Sequence, residues 1–282
     1  MKNKAKKSNH KIFVILIVIL LTGLSLMLYP IVSEYWNSLH QSRVIATYME
    51  TVAELDNDSY DVLWKEAQAY NDSLPRTRDR FQPDEEETAI YEQILNVSGQ
   101  GIMGYVEIPS IDVMLPIYHG TDEEILQVAI GHIEGSSLPV GGESTHCIIS
   151  GHRGLPSSKL FTDLDQLTEG DIFILKVLDE TLTYEIDQIR IVEPDDISLL
   201  EIEEGKNLCT LVTCTPYGVN SHRLLVRGHR VENQESINTT RITADASLIN
   251  PKWIAPILAV PVLLVILLVT LLRSLKKEKA KR

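Results

Sequence analysis

The sequence predicts a mainly β protein, in which a closed β-barrel or sandwich follows a helical leader and two membrane helices flank both. Three observations predict this fold class: two uncharged apolar stretches near the chain ends, a glycine-free helical pattern after the first, and many short apolar or alternating runs beyond it. The 282 residues are 44% hydrophobic and 23% charged, which is ordinary for globular proteins and excludes a disordered or collagen-like chain.

The two apolar stretches lie at 12–32 and 253–272, and each is long enough to cross the ~30 Å hydrocarbon core of a bilayer. Lysines precede the first and a basic cluster follows the second, so the positive-inside rule places both termini in the cytoplasm and residues 33–252 outside. A cleaved secretory signal is the alternative for 12–32, but the long run and the lack of a small-x-small site favour an uncleaved anchor. We therefore expect a two-pass protein of the cell membrane with an extracellular domain.

Charge is distributed unevenly along the chain, whose net charge is −13 and whose pI is about 5.1. The two flanks contain 11 of the 26 basic residues and one of the 39 acidic residues, which leaves 15 basic and 38 acidic residues outside, a net charge of −23. Such an acidic domain is unsuited to nucleic acid, and it favours cationic partners such as a protein that presents lysine.

Residues 33–90 are predicted to form the helical leader, after a basic tail and membrane anchor at 1–32. Apolar side chains recur at the spacing of one helical face in two groups, Val44, Tyr48, Val52 and Leu55, and then Tyr60, Leu63, Trp64, Ala67 and Tyr70. Pro75 and Pro83 bracket a charged segment that is predicted to be a loop, and a short helix is predicted near 86–95.

Residues 91–232 are predicted to form the strand-rich domain. Apolar or alternating runs are separated there by turn residues: GYVEIP, VMLPIYHG, THCIISGH, DIFILKVL, LTYEID, IRIVEP, NLCTLVTC and HRLLVRGH. Many short strands at close spacing are typical of a single barrel or sandwich. The polar residues 233–250 are predicted to tether this domain to 251–282, the second membrane helix with its basic tail.

Candidate catalytic side chains lie where three of these runs begin or end. Cys214 ends TLVTC, His152 ends CIISGH, and Arg223 opens RLLVRG, so we expect them at adjacent ends of neighbouring strands, the first two parallel. A cysteine is a good nucleophile as the thiolate, which a nearby cation stabilises, and arginine can donate to an oxyanion. The three residues predict an acyl-transfer site, although a strand cysteine and a lone histidine are more often structural, so the pattern alone leaves both interpretations open.

The other two cysteines, Cys147 and Cys209, lie inside apolar runs and are predicted to be buried, free packing residues. Each lies five residues before a candidate catalytic residue, so parallel neighbouring strands would place the two side by side on the face opposite the site. Three cysteines without a Cys-x-x-Cys pair argue against a disulfide scaffold and a zinc site, and we expect neither a metal nor a cofactor.

Several motifs in this order resemble those of the sortases, and of class C sortases in particular. TLVTC at 210–214 followed by Arg223 is similar to the sortase signature, and SGHRG at 150–154 is similar to the histidine motif. Longer strings similar to class C are GHIEGSSLPVGG, SGHRGLPSSKLFTDL and TCTPYGVNSHRLLVRGHR, and the resemblance runs from about Tyr91 to Arg230. It implies a closed sortase-type β-barrel of about eight strands with short helices, and a membrane-tethered cysteine transpeptidase.

The resemblance also implies a role for each site residue. Cys214 would attack the Thr–Gly bond of a Leu-Pro-x-Thr-Gly-like sorting signal, near the C-terminus of a secreted pilin or surface protein, and form a thioester. His152 would protonate the leaving amine and then deprotonate an incoming pilin lysine, and Arg223 would stabilise the oxyanion. The product would be an isopeptide bond to a second subunit.

Class C sortases resemble one another in a lid that places Asp-Pro-Phe or Asp-Pro-Trp over the site. This chain has no Asp-Pro pair, and the nearest match is Asp79, Arg80 and Phe81. We expect Asp79 to pair with Arg223. We expect Phe81 to cover Cys214, and we expect arginine in place of proline to leave the lid more flexible. The alternative is a solvated, charge-rich surface loop.

Two other functions remain open at this point. A housekeeping sortase would attach surface proteins to peptidoglycan, but the helical leader, the second apolar stretch and the string TCTPYG favour class C. A non-catalytic, membrane-anchored assembly scaffold would have no need of Cys214, His152 and Arg223 together.

Overall fold

The structure, a computed structural model, describes residues 2–76 and 79–233. Contacts divide these residues into two units, one that ends at Val32 and one that starts at Ser33 and contains every described strand. The predicted second membrane segment at 253–272 lies outside the described residues, and so does all but the first residue of the predicted tether.

Four α-helices are present in the described part of the chain: α1 Lys2–Ala53, α2 Asn57–Ser73, α3 Glu85–Tyr91 and α4 Glu123–Leu126. The predicted basic tail, first anchor and first leader helix are therefore one continuous helix. Within it, Ile15–Ala53 is long and apolar enough to cross a membrane, with a mean hydropathy of 2.6 in its most apolar segment. The chain breaks before α2 because the Asp56 carboxylate accepts a hydrogen bond from the Ser59 N–H at 2.8 Å and caps the new helix.

Eight strands form a closed barrel, in the order β1-β2-β3-β4-β7-β8-β6-β5, which confirms the predicted fold class for the catalytic unit. The strands are β1 Ile102–Ile108, β2 Val113–His119, β3 Ile130–His132, β4 Thr145–Ser150, β5 Ile172–Val177, β6 Glu180–Val192, β7 Asn207–Thr215 and β8 His222–Val231. Short 3-10 helices lie at Leu74–Arg76, Pro109–Ile111, Leu164–Gln166 and Ser198–Leu200.

Two strand predictions were wrong in detail. The runs LTYEID and IRIVEP are one strand, β6, because a bulge between Ile186 and Gln188 shifts its register against β8 and interrupts the alternation of the sequence pattern. Strand β3 was not predicted, since its three residues are too few to show a period.

The barrel interior contains the two packing cysteines. Cys147 and Cys209 are direct partners in the parallel β4–β7 ladder, both are buried, and both are free thiols. They belong to the main core cluster, which also contains the stacked rings of Phe173 and Tyr184, 5.4 Å between centroids. The predicted register and the predicted burial of these two thiols are therefore confirmed.

The helical leader is joined to the barrel by buried polar contacts as well as by apolar packing. The Tyr48 hydroxyl donates to the Met103 carbonyl at 2.9 Å and accepts from the Leu178 N–H at 2.7 Å. Asn71 bonds both backbone groups of Leu138, at 2.7 and 3.2 Å. Because burial raises the pKa of the Tyr48 hydroxyl above its ordinary value, the phenol keeps its proton and remains a donor.

Candidate active site

The structure brings the three predicted catalytic residues to one end of the barrel. Strand β4 is parallel to β7, and β7 is antiparallel to β8, with Cys214 directly opposite Arg223. Residues that face each other across neighbouring strands have their side chains on the same face of the sheet. His152 follows the last residue of β4 by two positions, so the predicted strand arrangement is confirmed.

The backbone before His152 is bonded to the strand that carries Cys214. The Gly151 N–H donates to the Val212 carbonyl at 3.0 Å, and the Thr213 hydroxyl donates to the Gly151 carbonyl at 2.7 Å. The second threonine of TLVTC thus holds the histidine loop, a role that its local sequence does not reveal.

The His152 imidazole is partly accessible, since 28% of the side chain is exposed. Its Nε2 lies 3.6 Å from a carboxylate oxygen of Glu123 on α4, and the other oxygen of Glu123 accepts a hydrogen bond from Gln127. Sequence reasoning did not find Glu123, because it is one of many acidic residues in the chain.

The Arg223 guanidinium has few protein partners. It donates to the Asn220 carbonyl at 3.4 Å and to the His222 carbonyl at 3.2 Å, and it forms no ion pair within residues 2–76 and 79–233. A guanidinium offers five N–H donors, so several remain for a bound group on the face that carries Cys214. Cys214 is itself partly exposed, in contrast to the two buried cysteines.

An apolar cluster lies on the sheet face that carries Cys214 and Arg223. Val212 lies two residues before Cys214, and Leu225 lies two residues after Arg223. Because side chains two residues apart on a strand point to the same face of the sheet, Val212 shares the face of Cys214 and Leu225 shares that of Arg223. They form a buried cluster with Ile148 and Leu200. Each of these four residues is at most 8% exposed, so the cluster is covered in this structure.

Phe81 packs on this apolar cluster, together with Ile133, Val192 and Leu199. The segment predicted to be a lid is therefore in contact with the face that carries the candidate nucleophile. That contact disfavours the alternative of a fully solvated loop. Coverage of the Cys214 thiol itself remains a prediction.

The predicted Asp79–Arg223 ion pair is wrong. Asp79 is an exposed residue with a φ of 52°, in a turn closed by a 2.7 Å hydrogen bond from the Gln82 N–H to the Asp79 carbonyl. The part of the chain that the structure describes contains no ion pair between Asp79 and Arg223. The reason is that the neighbouring residue, Arg80, takes the buried position and leaves Asp79 in the exposed turn.

Arg80 makes several contacts that hold the segment, although the expectation that arginine in place of proline leaves the lid more flexible stays a prediction. Its side chain is only 8% exposed and donates to the carbonyls of Gly135 at 3.0 Å and Leu200 at 2.9 Å. It also pairs with Glu201 at 3.4 Å and lies over the Phe81 ring, 4.3 Å from the centroid. The backbone of Arg80 also passes close to Gly135. A glycine is required there, because a Cβ at position 135 would lie 1.8 Å from the Arg80 carbonyl oxygen.

Residues 106–231 match the family model described as the sortase domain. Among solved structures, the chain is similar to sortase C1 from Streptococcus agalactiae, at 52% identity and a TM-score of 0.67, over 68% of this chain and 100% of that chain. It is also similar to sortase C from Streptococcus pneumoniae, at 46% identity and a TM-score of 0.59, over 67% of this chain and 96% of that one.

Curated relatives match over a shorter region. Sortase D of Bacillus subtilis is 34% identical over 131 residues, which are 45% of this chain and 63% of that protein. The chain thus spans less than two thirds of the length of the curated relatives it matches.

Proposed function

Because the chain belongs to the sortase family, we propose that it is a class C enzyme, a cysteine transpeptidase that joins pilus subunits outside the cell membrane. The observation that carries this proposal is the placement of Cys214 opposite Arg223, with His152 at the end of the neighbouring parallel strand. A nucleophile, a proton carrier and a fork of donors at one barrel end are the groups that acyl transfer through a thioester needs.

In the first half-reaction, the Cys214 thiolate attacks the threonine carbonyl of a Leu-Pro-x-Thr-Gly-like sorting signal. The carbon–sulfur bond forms while the Arg223 guanidinium donates to the oxyanion. The carbon–nitrogen bond to glycine then breaks as His152 gives its proton to the leaving amine. The fragment that starts with glycine leaves, and the acyl group remains on Cys214 as a thioester.

In the second half-reaction, the ε-amine of a pilin lysine attacks the thioester carbonyl. The neutral His152 accepts a proton from this amine, the carbon–sulfur bond breaks, and the thiolate is restored. The product is an isopeptide bond between two secreted subunits. The net charge of −23 over residues 33–252 supports a lysine-bearing acceptor, since an acidic domain attracts a cationic partner.

The apolar cluster beside Cys214 supports a sorting signal as the acyl donor. Once Phe81 is displaced, Val212 and Leu225 would offer an apolar surface to the leucine and proline of such a signal, on the sheet face that carries Cys214. The solved Streptococcus pneumoniae sortase C was described with regard to pilin substrate specificity, which supports a pilin as the donor here.

Membrane attachment completes the proposed function. The apolar stretch in α1 supports an N-terminal anchor, and the uncharged run at 253–272 with its basic flank supports a second one. With both termini in the cytoplasm, the barrel lies outside, where secreted subunits leave the membrane.

A ligation assay tests this function against the two alternatives. The purified protein in detergent micelles is incubated with a labelled sorting-signal peptide in two parallel reactions. One reaction contains a lysine-bearing pilin domain as the acceptor, and the other contains a peptidoglycan cross-bridge amine. We expect a product whose mass equals the acyl part plus the pilin domain. A product only with the cross-bridge amine would show a housekeeping enzyme, and neither cleavage nor product would show a scaffold.

The lid gives a separate prediction about access to Cys214. Phe81→Ala and Arg80→Met are each expected to speed alkylation of Cys214 by a small thiol reagent about tenfold, because partial burial of Phe81 contributes at most about 1.5–3 kcal/mol and both changes weaken closure. The rate is measured by mass spectrometry of the peptide that contains Cys214.

Asp79→Ala is the matched control for the lid, because Asp79 lies in the same turn but is exposed. It should leave the alkylation rate within about twofold of the wild-type rate. Equal rates in all four proteins would mean that the site is already open and that the segment does not act as a lid.

A further inference from the structure

Arg153 directly follows His152, and its side chain connects the histidine loop to the strand that carries Cys214. One terminal nitrogen of its guanidinium donates to the Thr215 hydroxyl at 3.2 Å. The other forms an ion pair with Asp165, which lies in the 3-10 helix Leu164–Gln166. The Arg153 side chain is only 9% exposed, whereas the side chain of Asp165 is 47% exposed.

The hydrogen bond between Arg153 and Thr215 joins the residues that come directly after the two reacting residues. Thr215 directly follows Cys214, and Arg153 directly follows His152. On the other side of His152, Gly151 is already bonded to β7 through Val212 and Thr213. The histidine is therefore flanked by links to β7 before and after it, and Arg153 supplies the later one.

One donor of the Arg153 guanidinium adds nothing to the stability of the fold. The Nε–H is buried and has no hydrogen-bond partner among the described residues, so it reduces the stabilisation that the other two contacts provide. The low exposure of the side chain also disfavours direct contact with a bound substrate.

We propose that Arg153 is a positioning residue for the transfer reaction, which fixes the separation of the His152 imidazole and the Cys214 thiol by bonding Thr215. The inference rests on the proposed function, because that pair is the reacting pair of a cysteine transpeptidase. Small displacements of such groups slow the chemical step far more than they weaken substrate binding.

The kinetic test compares Arg153→Met with Lys159→Met in the ligation assay. Lys159 lies in the same loop and has an ion pair with Asp163 at 3.0 Å and a bond to the Ile111 carbonyl at 2.8 Å, which makes it a matched cation. We expect Arg153→Met to lower kcat about 10- to 100-fold with KM within about twofold. Lys159→Met should leave both unchanged, and the Tm of Arg153→Met should fall by no more than a few degrees. Wild-type kcat in Arg153→Met would overturn the inference.

Thr215→Val tests whether the effect passes through the hydroxyl. This variant keeps the shape of the side chain and should also lower kcat. The double variant with Arg153→Met should have the same kcat as Arg153→Met alone, because both changes remove the same hydrogen bond. Effects that multiply in the double variant would contradict the proposed route.

A spectroscopic readout separates failure of this inference from failure of the proposed function. In protein labelled with ¹³C-histidine, the Hε1–Cε1 signal of His152, assigned by its loss in His152→Ala, should shift or broaden in Thr215→Val. In protein that already carries Arg153→Met, adding Thr215→Val should cause no further change in the His152 signal. An unmoved His152 signal in Thr215→Val overturns the positioning role whether or not the wild type ligates. A wild type that does not ligate overturns the proposed function, and a moved signal then still supports the link from Thr215 to His152.

Discussion

Cys214→Ala is expected to abolish both cleavage of the sorting signal and ligation, with a loss of at least about 10³-fold, because no other group can form the thioester. The two remaining cysteines cannot replace it, since Cys147 and Cys209 are buried inside the barrel on the opposite sheet face. The measurement is the rate of release of the glycine-containing fragment.

Cys209→Ala is the matched control for Cys214→Ala, because it removes a thiol from the same strand, β7. It leaves a small cavity in the core, so its Tm should fall, while ligation should stay within about twofold of the wild-type rate. Ligation that persists in Cys214→Ala would contradict the assignment of the nucleophile.

Arg223→Lys is expected to lower kcat/KM about 10²- to 10³-fold, although the charge is retained. A single ammonium cannot reproduce the planar fork of donors, and the loss of one well-placed oxyanion donor has an effect of that size. Among the described residues, the Arg223 side chain bonds only to the carbonyls of Asn220 and His222, so little of its bonding is needed to hold the fold. The Tm should therefore remain close to that of the wild type.

Arg190→Lys is the matched control for Arg223→Lys. Arg190 lies on the adjacent strand β6 and is exposed, and within the part of the chain that the structure describes its side chain bonds only to the carbonyl of Ile189. It should ligate at the wild-type rate. Equal activity of Arg223→Lys and Arg190→Lys would exclude a role for the planar donors of Arg223.

Much of the fold could be predicted from the sequence, because alternation and turn residues are local signals. They were sufficient for most of the barrel strands, and equal spacings of five residues were sufficient for the pairing of Cys147 with Cys209. The signals failed where geometry interrupts the period: the bulge near Gln188 divided one strand into two predicted runs, and β3 is too short to show a pattern.

The catalytic trio could be predicted because each residue ends or begins a recognisable run, whereas its supporting contacts could not. Arg80 bonds Leu200 across 120 residues of chain, and Arg153 bonds Thr215 across 62. Contacts between residues so far apart in the chain do not affect the local sequence pattern. The contacts of Arg80 were therefore not predicted, and the resemblance suggested an ion pair of Asp79 instead.

The central claim is that acyl transfer passes through a thioester on Cys214, and peptide mass spectrometry tests it most directly. The protein is incubated with a sorting-signal peptide without an acceptor amine, quenched in acid and digested. The account predicts an added mass equal to the acyl part through threonine, found on the peptide that contains Cys214 and removed by hydroxylamine. Cleavage of the sorting signal with no adduct on Cys214, or with an adduct on another residue, would contradict it.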